Sequence, residues 1–391
     1  MKPIDHEQAF QFPAIPTEIV FGFGVIERLP EKIREAHGTR VFLVTDRGVV
    51  AAGLADRVSA VLAKAGVDVC VFDEIPQDSS SAVVEAAAAR LTEERCDIVV
   101  GLGGGSSLDA SKAVAVCATN EPPIVRYAGL NNVKNRPLPC IAIPTTAGTG
   151  SEVTYWSVMT DDATHVKTAI GGGLVFPRLA LCDPELTLGL PPMLTASTGM
   201  DALTHAIESY VNTSYQPISS ALTYRAIELI GGALERAVAD GGDREARYMM
   251  LLGSTLAALG MNPTRLGIVH ALAMPLGSWD LKIPHGVGNA VLLPHAMEFN
   301  VSANPGAYAD VARALNEHCD GLDAAAAARK AVSQVRAIAD TIGIPQGLGA
   351  LGLTREMIPQ VCAEAIKSGN IPVNPRHVTE HDLREICAAA L

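Results

Sequence analysis

Asp201, His205, His270 and His285 are the side chains of this chain best suited to hold a metal ion. Asp201 and His205 lie in the run Gly199-Met-Asp-Ala-Leu-Thr-His-Ala-Ile-Glu-Ser-Tyr210. Their i, i+4 spacing places both on one face of a helix, a turn apart. His270 closes the run Leu266-Gly-Ile-Val-His270, and His285 sits in Ile283-Pro-His-Gly286, which reads as a turn. One carboxylate and three imidazoles suit a divalent transition ion, Fe²⁺ or Zn²⁺, with a position left for a substrate oxygen. Such a site is catalytic in type, since structural sites usually close all four positions and often use Cys. Each residue alone has a plainer reading. Asp-x-x-x-His pairs are common on helices, and single histidines are usually surface groups or hydrogen-bonded core residues.

The weight of this cluster grows beside two loops upstream. Val99-Val-Gly-Leu-Gly-Gly-Gly-Ser-Ser-Leu-Asp109 follows a strand pattern and opens a helix pattern. Glycines let backbone N–H groups come close to a phosphate, and a helix start favours its charge. Ser106 stands where a third glycine of G-x-G-x-x-G would be, and G-K-[ST] is absent. The segment is either a phosphate loop or a tight turn. Pro144-Thr-Thr-Ala-Gly-Thr-Gly-Ser-Glu152 concentrates hydroxyls and backbone donors after another strand, as a second cofactor loop or an ordinary Thr/Gly turn would. Without a G-x-S-x-G elbow, a serine hydrolase has little support. Asp46, just beyond a strand, suits both hydroxyls of an adenosine ribose and would repel a 2′-phosphate, favouring NAD over NADP. A helix cap or surface turn is the other reading. Lys167 reads as a solvated lysine or as a contact to a cofactor oxygen. His6, His37, His165, His318, His377 and His381 read as surface groups, and His295 as a satisfied histidine at a helix start.

These residues must be positioned by the chain's 391 residues, enough for two domains. Hydrophobic residues make up 48% and charged residues 18%, the balance of a folded protein rather than a disordered one. The formal net charge of −12, with no basic cluster, argues against a nucleic-acid partner. No apolar run is long enough to span a bilayer, and the N-terminal residues form no apolar signal region. Eight scattered cysteines without a C-x-x-C pair read as reduced, mostly buried thiols of a cytoplasmic protein.

The first half alternates strand and helix patterns. Strands are expected at 41–45, 67–72, 97–101, 138–143 and 179–182, and helices at 53–64, 81–94 and 109–118. That alternation implies a parallel, Rossmann-like α/β sheet with ligands beyond the carboxyl ends of its strands. After Asp183-Pro-Glu-Leu186 the strand signals vanish. Helical patterns cover 218–239, 245–261, 305–317 and 324–342, and a last helix opens at Thr379-Glu-His-Asp382, near a capping box with Asp in place of Glu. Residues 1–187 are therefore expected to form an α/β domain and 188–391 an all-α domain, with the cleft between them as the default site.

Taken together the motifs resemble the iron-containing (group III) alcohol dehydrogenase family from about Thr17 to the C-terminus. The matching segments are Gly103-Gly-Gly-Ser-Ser-Leu-Asp109, Pro144-Thr-Thr-Ala-Gly-Thr-Gly-Ser-Glu-Val153, Asp183-Pro184, residues 199–208, His270-Ala-Leu-Ala273 and Ile283-Pro-His-Gly286. The resemblance implies a dehydroquinate-synthase-like fold, an NAD-binding domain, and metal ligation by Asp201, His205, His270 and His285. It implies that Gly104, Gly105, Ser106, Ser107, Leu108 and Asp109 hold the pyrophosphate and that Thr145, Thr146 and Thr149 line the cofactor. Asp46 would take the ribose, with Lys167 and Leu186 nearby. Homo-oligomers, often dimers, are the family's habit. Three departures stand out. Met274 replaces the second histidine of His-Ala-x-Ala-His. Pro76-Gln-Asp78 replaces Pro-Asn-Pro, so Gln77 must do the work of the missing Asn. Trp156 falls where some relatives carry a polar cofactor contact.

The reaction this implies is reversible oxidation of a small alcohol to an aldehyde or ketone with NAD⁺, assisted by Fe²⁺ or Zn²⁺ as a Lewis acid. Met274 would make the pocket more apolar and favour less polar alcohols over polyols. A polyol or hydroxyacid dehydrogenase or transhydrogenase on the same scaffold is the alternative. A dehydroquinate-synthase-like lyase fits the glycine loop but fits residues 201–205 less well, and a binding protein without turnover fits least.

Overall fold

Nine strands and fourteen α-helices carry the chain in the computed structural model, which describes residues 2, 5–277 and 281–391. Met1, Pro3 and Ile4, part of the segment read above for a signal, lie outside the described residues. The strands are β1 (Glu18–Phe21), β2 (Arg40–Val44), β3 (Asp68–Phe72), β4 (Ile98–Gly103), β5 (Gly129–Leu130), β6 (Cys140–Pro144), β7 (Trp156–Thr160), β8 (Lys167–Gly171) and β9 (Leu179–Cys182). The helices of the same half are α1 (Leu29–Glu35), α2 (Arg47–Ala51), α3 (Leu54–Lys64), α4 (Ser81–Glu93) and α5 (Gly105–Cys117). Beyond them come α6 (Pro192–Val211), α7 (Pro217–Ala239), α8 (Arg244–Thr264), α9 (Ile268–Leu276), α10 (His285–Asn300), α11 (Pro305–Ala314), α12 (Ala324–Thr341), α13 (Ile358–Ala365) and α14 (Glu380–Ala389).

Contacts divide the chain into two units. One comprises Ala14–Thr146 and Gly150–Leu188, and the other Met1–Pro13, Ala147–Thr149 and Gly189–Leu391. The first is an α/β unit. Its six-stranded sheet, ordered β1-β9-β6-β4-β2-β3, is parallel throughout. Both faces are covered, which is why β4 and β6 are buried at every position and read as continuous apolar runs. Alternation along β2 sorts the two cores. Phe42 and Val44 join α4 and α5 on one face, whereas Val41 and Leu43 join α1 and α3 on the other.

A second sheet, β5-β8-β7, was not expected from the sequence, nor was the edge strand β1. β7 and β8 pair antiparallel, and half-buried strands of only five residues give too weak an alternation to be told from loop. Helix α5 begins at Gly105, four residues before the expected start, because three glycines and two serines hid a helical first turn. The expected helix at 305–317 ends at Ala314.

The second unit is helical, and no strand occurs among its described residues. Helix α6 is buried at nearly every position from Thr195 onward and packs against α7, α8 and α10. The Tyr210 hydroxyl of α6 donates to Asp310 of α11 at 2.8 Å and accepts from the backbone N–H of Lys2. At the far end Thr379 and Asp382 form the capping box of α14, the Asp doing what Glu does in the commoner form.

Candidate active site

Asp201 and His205 stand one turn apart on α6, both buried. His270 is the third residue of α9, also buried. His285 is the first residue of α10, a correction to the turn expected there: Pro284 starts the helix rather than ending a segment. Gly286 sets its position. A Cβ there would fall 2.4 Å from the Ser197 carbonyl oxygen, so only glycine lets the start of α10 press against α6 and bring His285 opposite Asp201.

The four side chains converge on one oxygen. Asp201 Oδ1 lies 3.8 Å from His205 Nε2, 3.7 Å from His270 Nε2 and 3.9 Å from His285 Nε2. The donor atoms of Asp201, His270 and His285 all fall within 4.8 Å of one another. The His205 ring stacks on His270 with centroids 4.7 Å apart. These separations are too long for hydrogen bonds. They approach the roughly 3.4 Å expected between ligands about 2.1 Å from a shared tetrahedral ion. One carboxylate with three imidazoles therefore fits a divalent metal.

Electrostatics point the same way. Burial alone would raise the Asp201 carboxyl, but the facing imidazoles of His205, His270 and His285 outweigh it and hold it well below the usual carboxylate range. Burial would likewise lower His270, yet the carboxylates of Asp201 and Glu208 raise it to about 9. Burial does push His205 down, ahead of the opposing pull of Asp201. A pocket whose carboxylates draw a proton onto a buried imidazole draws a cation equally.

Two residues of this cluster had not been singled out. Glu208, one turn beyond His205, accepts from His270 Nδ1 at 2.6 Å and from the Val269 N–H at 2.7 Å. Asn289, four residues after His285, donates its amide to Asp201 Oδ1 at 2.6 Å and lies 3.1 and 3.2 Å from His270 Nε2 and His285 Nε2. The signal for Glu208 was its i, i+7 relation to Asp201, and that for Asn289 its i, i+4 relation to His285. Both repeat the spacing that located the ligands. His295 is inside α10 rather than at a helix start, because the helix runs through Pro294. His6, His37, His165, His318, His377 and His381 are exposed, as expected.

In the α/β unit the loop residues gather at the carboxyl ends of β2, β4 and β6. Gly104 precedes α5 in extended conformation without a side-chain cap, so the first-turn N–H groups from Gly105 onward face outward for an anion. Ser106 and Ser107 are both engaged within the protein. The Ser106 hydroxyl accepts from the Asp78 N–H, and Ser107 donates to Asp46 Oδ2 at 2.9 Å. Asp46 also caps α2 through the Val49 N–H, so the cap anticipated for it is present. Leu108 and Leu186 are buried core residues. Asp109 accepts from Ser151 and from the Val158 N–H and pairs with buried Lys112, tying α5 to β7. Lys167, read either as a solvated lysine or as a cofactor contact, donates to Asp78 at 2.8 Å. Gln77 is exposed beside that pair, while Thr145 and Thr146 follow β6. Thr149 belongs with the helical unit.

A parallel-sheet unit with an open helix start, and a helical unit with a carboxylate and three imidazoles, define a metal-dependent, nucleotide-linked oxidoreductase. Comparison with known proteins makes this specific. Residues 16–184 match the family model for iron-containing alcohol dehydrogenase, and residues 195–391 match the C-terminal model of the Fe-containing alcohol dehydrogenase family. The chain belongs to that family. It is 40% identical over 375 residues to a 1,3-propanediol dehydrogenase of Citrobacter freundii, covering 95% of this chain and 96% of that one. It is 36% identical over 377 residues to an NAD-dependent methanol dehydrogenase of Bacillus methanolicus, covering 96% and 99%. Its fold superposes on the crystal structure of a 1,3-propanediol oxidoreductase with a TM-score of 0.95, at 38% identity, over 98% of this chain and all of the other. The protein is an alcohol dehydrogenase that uses NAD and a divalent metal.

Proposed function

We propose that Asp201, His205, His270 and His285 hold the metal and that the substrate is a small, weakly polar alcohol. The observation that carries the ligand set is the convergence of three imidazole Nε2 atoms on Asp201 Oδ1 within 3.7–3.9 Å. When bound, the ion supplies Lewis acidity to the alcohol oxygen and steadies the alkoxide. Asp201 supplies the single negative charge among the ligands, and Glu208, behind His270, a second that offsets the rest of a divalent ion's charge. Glu208 and Asn289 hold His270 and Asp201 in place. The NAD pyrophosphate is assigned to Gly104, Gly105 and Ser106 at the start of α5, with Asp46 at the adenosine ribose and Thr145, Thr146, Thr149, Lys167 and Gln77 as further contacts. Ser107, Leu108, Asp109 and Leu186 support that loop from behind, through the bonds and packing already described.

Met274 carries the substrate preference. It follows His270 by one turn on α9 and so shares its face, presenting a thioether rather than an imidazole. We expect higher kcat/KM with C3–C6 monoalcohols than with glycerol or propanediols. The 1,3-propanediol dehydrogenase among the relatives supports the opposite reading, and a profile led by diols would establish it. His270→Ala tests the ligand set: metal content and turnover should be lost together, and an active, metal-free variant would refute it. Trp156, packed against Gly171 and Tyr155, acts on pocket shape from β7. Reduced cysteines, with no disulfide among the eight, support a cytoplasmic protein, and the family habit supports a homodimer. No helix among the described residues is long and apolar enough to cross a membrane.

A further inference from the structure

Glu208 is a buried carboxylate with no lysine or arginine partner among the described residues. Its two oxygens serve consecutive residues of α9. Oε1 accepts from the Val269 N–H at 2.7 Å, and Oε2 accepts from His270 Nδ1 at 2.6 Å. The first contact satisfies one of the unpaired amides at the start of α9, whose N-cap Gly267 has no side chain to do so. The second fixes the imidazole. A carboxylate only accepts, so Nδ1 carries a proton and Nε2, on the Asp201 side, is the nitrogen left to serve as a ligand. Gly267 makes room for this arrangement, because a Cβ there would stand 2.7 Å from Glu208 Oε1. Beyond the carboxylate lies a small cavity lined by Val269, Asn300, Tyr308 and Asn374, which gives Glu208 no other charged neighbour.

We infer that Glu208 is the positioning residue of the metal site, locking the His270 ring in the tautomer and rotation that present Nε2 as a ligand. The inference rests on the proposed ligand set. In this role Glu208 acts through His270 and the start of α9. Carboxylates placed this way behind a metal-bound histidine contribute about 10–100-fold in metal affinity.

Glu208→Gln is the discriminating variant. The amide keeps the shape but has one acceptor oxygen for two donors, so either Val269 or His270 faces an N–H₂ group. Gly267→Ala is the second, since its Cβ displaces the carboxylate while Glu208, His270 and the proposed ligands keep their identities. Zn²⁺ affinity would be measured by chelator competition on metal-stripped protein, alongside the visible spectrum of the Co²⁺-loaded form. Both variants should bind Zn²⁺ about 10–100-fold more weakly than the parent and alter the Co²⁺ bands, with far-UV circular dichroism unchanged. Glu208→Asp, charged but a methylene shorter, should fall between and replaces Glu208→Gln if that variant does not fold. Affinities within twofold of the parent, with unaltered Co²⁺ bands, would overturn the positioning role while leaving the ligand set intact. A parent protein that binds no Zn²⁺, or a His270→Ala variant that binds it as tightly, would overturn the ligand set and this inference together.

Discussion

Asn289 shows how a single uncharged side chain shapes the metal site. Its amide meets Asp201 Oδ1 at 2.6 Å in a position with no solvent exposure, so the bond is short and unscreened. Asn289→Leu should keep the packing, free the carboxylate to rotate, and weaken metal binding by about tenfold or more. Equilibrium dialysis against Zn²⁺ checks this. Asp46 carries two duties at once. Asp46→Ala removes the cap of α2 and the Ser107 contact, costing about 1 kcal/mol of stability in urea unfolding. The same variant should narrow the gap between NAD⁺ and NADP⁺ in kcat/KM, and an unchanged ratio would remove Asp46 from the ribose site.

At the scale of elements, the site depends on how α10 meets α6. Gly286→Ala would force a Cβ to within 2.4 Å of a backbone oxygen, so the helix start must move. Destabilisation of about 1–3 kcal/mol and loss of metal are expected together, read by thermal unfolding and by metal analysis of the purified variant. The α/β unit carries its own pH-sensitive joint. Asp97, before β4, accepts from the Thr39 hydroxyl and from the N–H groups of Thr39 and Arg40 at the start of β2. Partial burial opposes ionisation there, but these bonds outweigh it and hold the carboxyl below its usual range. A depressed folded-state pKa contributes stability above the unfolded value near pH 4, lost as pH falls through the folded value. The Tm gap between the parent and Asp97→Asn should hold steady from pH 8 to about 5 and close below about pH 4.

Which elements could be read in advance follows from what sets them. The inner strands of the main sheet are buried on both faces and wrote themselves as apolar runs, and the long helices of the second unit wrote their 3–4 spacing. The start of α5 did not, because Gly104 to Ser107 serve the loop's contacts rather than helix propensity. His285 was legible as a ligand type but not as a helix residue, since Pro and Gly on either side mimic a turn. Glu208 lay within a recognisable motif and Asn289 just beyond one, yet their roles depend on partners 62 and 88 residues away, distances that spacing along one helix does not encode.

For the whole molecule, the order of the chain separates the two chemistries. Every loop that gathers at the carboxyl ends of the main sheet lies before Leu188, and every proposed metal ligand lies after it, on α6, α9 and α10. Two separate stretches of sequence, α6 and the consecutive pair α9 and α10, build the proposed ligand cluster, so metal affinity should report on the integrity of the helical unit. The identification with iron-containing alcohol dehydrogenases covers both units, since one family model spans residues 16–184 and the other 195–391. Turnover is expected to require the metal that we assign to Asp201, His205, His270 and His285. The most direct test of this requirement is NADH formation at 340 nm with a panel of C2–C6 alcohols and diols, on metal-stripped protein given Fe²⁺, Zn²⁺ or neither. Turnover restored by a metal, absent without one, and greatest with the monoalcohols is the predicted result. Equal turnover without metal would contradict the account.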